Sequence, residues 1–194
     1  MGVITISRQL GSLGNEVAQA VSRRLNYPVF CRDLINKAAN RAGVPEVALA
    51  TIDDLGLFGL RPSTEARSAY QQAVKAVMEE LCIQGDVILV GRAGQVILRD
   101  HPEVLHVKVI APAVVRAQRI SLQLGISIDA ARAQIEASDR SRRNYLRRYY
   151  HARWDDPELY DLIVNTARLS ADAAACLICQ ALTQCYRRNF SNGN

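Results

Sequence analysis

A chain of 194 residues, 49% of them hydrophobic, is long enough to bury one sizeable core and too apolar to remain disordered. No apolar run approaches the roughly 18–20 residues that span a bilayer, and the first residues lack the basic start and long apolar stretch of a secretory signal, so a cytoplasmic single-domain protein is expected. The net charge is +5, and of the 24 basic residues only Lys37, Lys75 and Lys108 are lysines. That arginine excess suits bidentate binding of phosphate or carboxylate, and it fits a GC-rich coding sequence equally well.

In chain order, residues 2–6 (GVITI) form a short β-branched run without polar alternation, the mark of a strand buried on both faces of a parallel sheet. A loop with Gly11 and Gly14 follows. From Asn15 the apolar spacing becomes helical through Val17, Ala18, Val21 and Leu25. Residues 28–30 read as a second strand, and 32–42 and 45–55 as two helices. Ser63 opens a long helix reaching Gln84, which could serve a core or a homodimer. Residues 86–90 and Val104–Ile110 are further strands. Pro112 starts a helix to Leu124, Ser127 caps the next, 160–164 is the last strand, and Ser170 caps the final helix. Strands alternating with helices predict a parallel sheet covered on both faces. Cys176 and Cys179 form a CxxC on the final helix; with no second pair at zinc-binding spacing, they read as buried apolar side chains.

The segment ITISRQLGSLGNEVAQAV sets a glycine loop between a buried strand and a helix. Backbone N–H groups there lack intrahelical partners, the helix dipole adds positive charge, and glycines let an anion approach, so such a junction can bind phosphate. A full phosphate loop reads GxxxxGK[ST]. Aligned by strand and helix, Gly14 stands where the lysine belongs, followed by Asn15 and Glu16. The bland alternative is a glycine turn packing a helix onto a strand.

Two further sites concentrate charge. Arg92 follows the third strand, at the sheet end where open parallel sheets bind ligands. The stretch SDRSRRNYLRRYYHARW carries Arg140, Arg142, Arg143, Arg147, Arg148 and Arg153 among Tyr145, Tyr149, Tyr150 and Trp154. It reads as a lid closing over phosphates, as a nucleic-acid surface, or as a solvated helix whose arginines pair with Asp139, Asp155 and Asp156. The charge is spread over many segments, which disfavours a single nucleic-acid footprint.

Taken in order, these segments resemble the cytidylate-kinase-like family, a branch of the P-loop monophosphate kinases. ITISRQLGSLGNEVA is similar to its strand and phosphate loop, and YPVFCRDLINKAA to the entrance of its monophosphate region. GRAGQVIL is similar to its glycine–arginine segment and IAPAVVRAQRI to the helix after the fourth strand. SDRSRRNY resembles its arginine lid, and DDPELYDLIVNTARLS its last strand and the loop abutting the base of ATP. The resemblance covers nearly the whole chain. It implies a three-layer α/β fold with a parallel five-stranded sheet. The core would comprise 1–30, 84–124 and 157–187, with a helical monophosphate-binding insert at 31–83 and an arginine-rich lid at 125–156. It further implies transfer of the ATP γ-phosphate, with Mg2+, to a CMP- or dCMP-like monophosphate or related small acceptor. Ser7, Arg8, Gly11, Ser12, Gly14 and Asn15 would hold the nucleotide phosphates. Arg8, Arg140 and Arg143 would stabilise the transferred group, Arg32, Asp33 and Arg92 would hold the acceptor, and Asn165, Thr166 and Arg168 would lie by the adenine. The sequence also departs from the branch: Asn15 replaces an arginine, Leu13 a glycine, Cys31 an acid, and Ala93 the acid of cytidylate kinases. A non-catalytic nucleotide-binding relative is the alternative.

Overall fold

The computed structural model describes residues 2–31 and 64–191. The helices read at 32–42 and 45–55, and with them Arg32 and Asp33, lie outside the described residues. The strands are β1 (Val3–Arg8), β2 (Val29–Phe30), β3 (Val87–Val90), β4 (Val104–Ile110) and β5 (Leu162–Asn165). They form one sheet in the order β2-β3-β1-β4-β5, parallel throughout. The five-stranded parallel sheet expected from the sequence is therefore present.

The absence of polar alternation along β1 and β3 has a direct cause: both faces are buried. Val3, Val87 and Leu89 pack against Tyr70, Val74 and Met78 of α2 (Thr64–Gln84). Ile4, Ile6, Ile88 and Val90 point the other way, onto Val17, Ala18 and Val21 of α1 (Gly14–Leu25) and Ala174, Ala175 and Ile178 of α6 (Ala171–Ser191). A short α3 (Gly94–Ile97) follows β3 on the face opposite α1. Then come α4 (Ala113–Leu124) and α5 (Ile128–Tyr150), which pack on each other through Ala117, Ile120, Ala131 and Ile135. Among the described residues no helix is long and apolar enough to cross a membrane.

Several boundaries differ from the sequence reading. Asp86 does not enter β3: its φ is +52°, and its Oδ1 accepts the Gly2 N–H at 2.8 Å. A 3-10 turn at Pro157–Leu159 delays the last strand to Leu162. The one-turn α3 is too short to carry a periodic signal. Ser127 and Ser170 cap as expected, accepting the N–H groups of Ala130 at 3.2 Å and Ala173 at 3.1 Å. Cys176 corrects the buried reading of the CxxC. The core stripe of α6 runs through Ala174, Ala175, Ile178 and Leu182, so Cys176 falls on the exposed side while Cys179 is half-buried.

Candidate active site

The site grows from the end of β1. There β1 and its neighbour β3 send their chains to opposite faces of the sheet, α1 on one and α3 on the other. Such a divergence opens a crevice at the carboxyl ends of the strands.

The loop between β1 and α1 is held by its carbonyls. Leu10 O accepts from Arg116 Nη1 at 3.3 Å, Gly11 O from Arg119 Nη1 at 3.2 Å, and Ser12 O from Thr166 Oγ1 at 2.8 Å. Leu13 O takes the Val17 N–H at 2.8 Å, the first helical bond. In a trans peptide the N–H opposes the preceding C=O. Anchoring these carbonyls inward therefore turns the amides of Gly11, Leu13 and Gly14 outward. Positive φ at Gly11 (+78°) and Leu13 (+60°) bends the chain into the concavity this requires. Gly11 is also fixed by space, because a Cβ there would lie 2.9 Å from the Arg116 carbonyl oxygen.

Two cavities open on this loop. One, of about 130 Å³, is lined by Arg8, Gly11, Leu13, Gly14, Asn15, Glu16, Arg119 and Arg142, among others. The other, of about 200 Å³, includes Ser7, Arg8, Arg92, Arg142, Tyr145 and Trp154 in its lining. Arg8 and Arg142 border both. The second cavity has three arginines and no carboxylate in its wall, a surface for an anion. Arg92 enters it from a strained turn, with φ +52° at Arg92 and +58° at Ala93, and lies 5.8 Å from the Tyr70 ring and 6.0 Å from the Tyr145 ring.

The arginine-rich helix turns one arginine inward. Arg142 reaches both cavities, bonds Ser138 Oγ and lies 6.0 Å from the Trp154 ring. Arg140 and Arg143 are exposed and line neither cavity. Arg143 approaches Asp155 Oδ2 at 3.8 Å. Asp139, read as a partner for these arginines, instead binds Arg116 of α4, its two oxygens at 3.2 and 2.9 Å from the guanidinium. Both side chains are buried, so each charge depends on the other as its partner. Asp156 accepts the Glu158 N–H.

The remaining expected residues divide between cavity and support. The Ser7 hydroxyl accepts the Trp154 indole N–H at 2.9 Å, and Ser12 Oγ donates to Gln9 O and Val109 O. Thr166 is fully buried beneath the loop, whereas Asn165 and Arg168 are exposed beside it. Asn15 Oδ1 accepts from Arg8 Nε at 3.2 Å. Sequence reasoning quoted Arg116 and Arg119 within IAPAVVRAQRI but gave them no role. It also passed over Arg142, whose phase matches the buried Ile135, Tyr145 and Leu146. Among the described residues no group of three or more His, Cys, Asp or Glu side chains could hold a metal ion. At the loop, Ser12 Oγ and Asn15 Oδ1 bond within the protein, and Glu16 is the one carboxylate among the residues lining the loop cavity.

Residues 3–168 match the sequence model of the cytidylate kinase-like family. A cytidylate kinase of Methanothermobacter thermautotrophicus is 31% identical over 173 residues, covering 89% of this chain and 99% of the relative. Among solved structures, an uncharacterized protein of Eubacterium ventriosum superposes with a TM-score of 0.74 at 19% identity, covering 94% of this chain and 99% of that one. A gluconokinase of Sinorhizobium meliloti superposes with a TM-score of 0.59 at 16% identity, covering 96% and 97%.

Proposed function

The chain belongs to the cytidylate kinase-like family, and from that premise we propose that it transfers the γ-phosphoryl group of ATP to a nucleoside monophosphate of the CMP or dCMP type, or to a related small anionic acceptor. The observation carrying this reading is that Arg8 and Arg142 border both cavities, so charge passing from one to the other stays within reach of the same two guanidinium groups. The loop cavity is the nucleotide's: the outward amides of Gly11, Leu13 and Gly14 face the triphosphate. The second cavity is the acceptor's, with Arg92 on its phosphate and the Trp154 and Tyr145 rings beside its apolar part. Arg32 and Asp33 belong to the acceptor side in this reading. Asn165 and Arg168 flank the adenine, and Thr166 positions the loop rather than the base.

Phosphoryl transfer needs alignment and stabilisation of negative charge that spreads over the moving group. Arg8 and Arg142 supply the second. Residues 125–156 act as the lid, with Arg142 at its inner face and Arg140 and Arg143 at its outer rim. Magnesium enters with the nucleotide as part of the substrate.

The test is an ADP-release assay on purified protein with ATP, Mg2+ and a panel of nucleoside monophosphates. Arg142→Ala should lower kcat by about 100-fold or more, the usual cost of a lost charge clamp. Arg92→Ala should act mainly on the acceptor KM, and Arg140→Ala and Arg143→Ala should cost less than Arg142→Ala. ATP that raises the melting temperature without turnover on any acceptor would replace the kinase with a nucleotide-binding relative.

A further inference from the structure

Position 14 is where a full phosphate loop carries its lysine, and here the side chain is missing for a reason of space. Gly14 is the first residue of α1 and needs no left-handed backbone. A Cβ at that position would stand 2.3 Å from Arg8 Cβ and 2.6 Å from Arg8 Cγ. The Cβ cannot swing clear, because it is bonded directly to the β1 backbone, and the Cγ could leave only by a rotamer change that would carry the guanidinium away from its present place. At the other end of the same side chain, a Cβ on Gly91 would lie 2.8 Å from Arg8 Nη1, although Gly91, at φ +84°, is also required by its turn. Arg8 thus fills the volume of the missing side chain at 14 with its stem and ends against the turn that carries Arg92. Its Nε is steadied by Asn15 Oδ1, at the position after Gly14.

We propose that Arg8 is the loop's nucleotide-binding cation, delivered from the end of the strand in place of a lysine at the start of the helix, and that the two arrangements exclude each other. The inference rests on the kinase reading above and adds which residue carries the charge and why position 14 is empty. The exchange is not neutral chemically. A lysine offers a point charge, whereas a guanidinium offers a planar fork that can span two phosphate oxygens. From the strand end that fork lies between the loop cavity and the acceptor cavity, both of which it lines.

The test is calorimetric titration of the full chain with ATP and Mg2+, with the ligand-free melting temperature measured for each variant. Arg8→Ala should weaken ATP by at least about tenfold, the range of a lost charged hydrogen bond, while melting close to wild type. Gly14→Lys should melt lower or bind less tightly, since two stems cannot share one volume. The double variant Arg8→Gly/Gly14→Lys should recover most of the affinity that Arg8→Ala loses, because only glycine at 8 removes the Cβ as well as the Cγ that would meet a side chain at 14. Arg8→Ala binding ATP as tightly as wild type would overturn the assignment. So would a folded double variant no better than Arg8→Ala. A wild-type chain that binds no ATP would instead remove the kinase reading itself, and the inference with it.

Discussion

Thr166 lies 154 residues from Ser12 along the chain and donates its hydroxyl to the Ser12 carbonyl at 2.8 Å, while accepting from Arg119 Nη1 at 3.2 Å. Arg119 completes the contact by bonding Thr166 O at 2.7 Å. One buried hydroxyl thus ties the end of β5 to the loop between β1 and α1. Thr166→Val keeps the shape and removes the donor, leaving a buried carbonyl without its partner. A loss of about 1–3 kcal/mol in stability is expected, together with weaker ATP binding, because the Leu13 amide is aimed by the Ser12 carbonyl. Thermal unfolding and nucleotide titration check both, and Thr166→Ser should retain most of each. Nothing in the sequence marks this role. A threonine after a strand has no pattern that says which carbonyl it will meet, whereas the glycine loop could be read because Gly11 and the strand-to-helix change are local.

At the scale of elements, α4 and α5 form a clamp around the loop's outer wall. The Arg116 guanidinium bonds Ala111 O and Leu10 O and takes both oxygens of Asp139, with side-chain exposures of 6% and 11% for the two partners. Asp139→Ala would leave a buried guanidinium without its counter-charge, a change that typically costs about 3–5 kcal/mol. The expected result is a large fall in melting temperature, with the loop's Leu10 anchor loosened as well. Replacing both partners by apolar residues should recover part of the stability without restoring nucleotide binding, and that difference separates packing from loop positioning. Both helices could be read from their ends, through Pro112, Gly125 and the Ser127 cap. Which arginine of α5 faces inward could have been read too, since Arg142 shares the phase of Ile135 and Leu146. The spacing of Arg140, Arg143 and Arg147 instead picks out the exposed side.

At the scale of the whole molecule, the segment that follows α5 is fastened to the sheet through Lys108. Lys108 is aligned with Ser7 of β1 in the parallel register. Its Nζ donates to Trp154 O at 2.7 Å, sits 3.3 Å from Asp155 Oδ1 and lies 4.5 Å from the Trp154 ring. Tyr160, its phenol pushed up to about 12 by burial, donates to the same carbonyl, and the Trp154 indole reaches back to Ser7. The parallel sheet and the strand–helix alternation that build this frame were open to sequence reasoning, because buried parallel strands have a distinctive pattern. A lysine inside β4 was not, because its partners arrive from residues 154–160. Burial holds the Lys108 ammonium below its ordinary value, against the opposing pull of Asp155. Its charged form therefore costs stability in full below the folded pKa. Between that value and the ordinary lysine value the unfolded chain binds the extra proton, so this group makes stability rise with pH. Lys108→Met should remove that slope, seen as the difference between the two proteins' melting temperatures across alkaline pH, and at neutral pH leave stability equal or higher. On the proposed function, turnover should nevertheless fall, because the Trp154 carbonyl loses a donor and its ring, which lines the cavity with Arg92 and Arg142, is less firmly set. A Lys108→Met protein with the wild-type pH slope, or with undiminished turnover, would show that the sheet does not hold the segment after α5 through this residue.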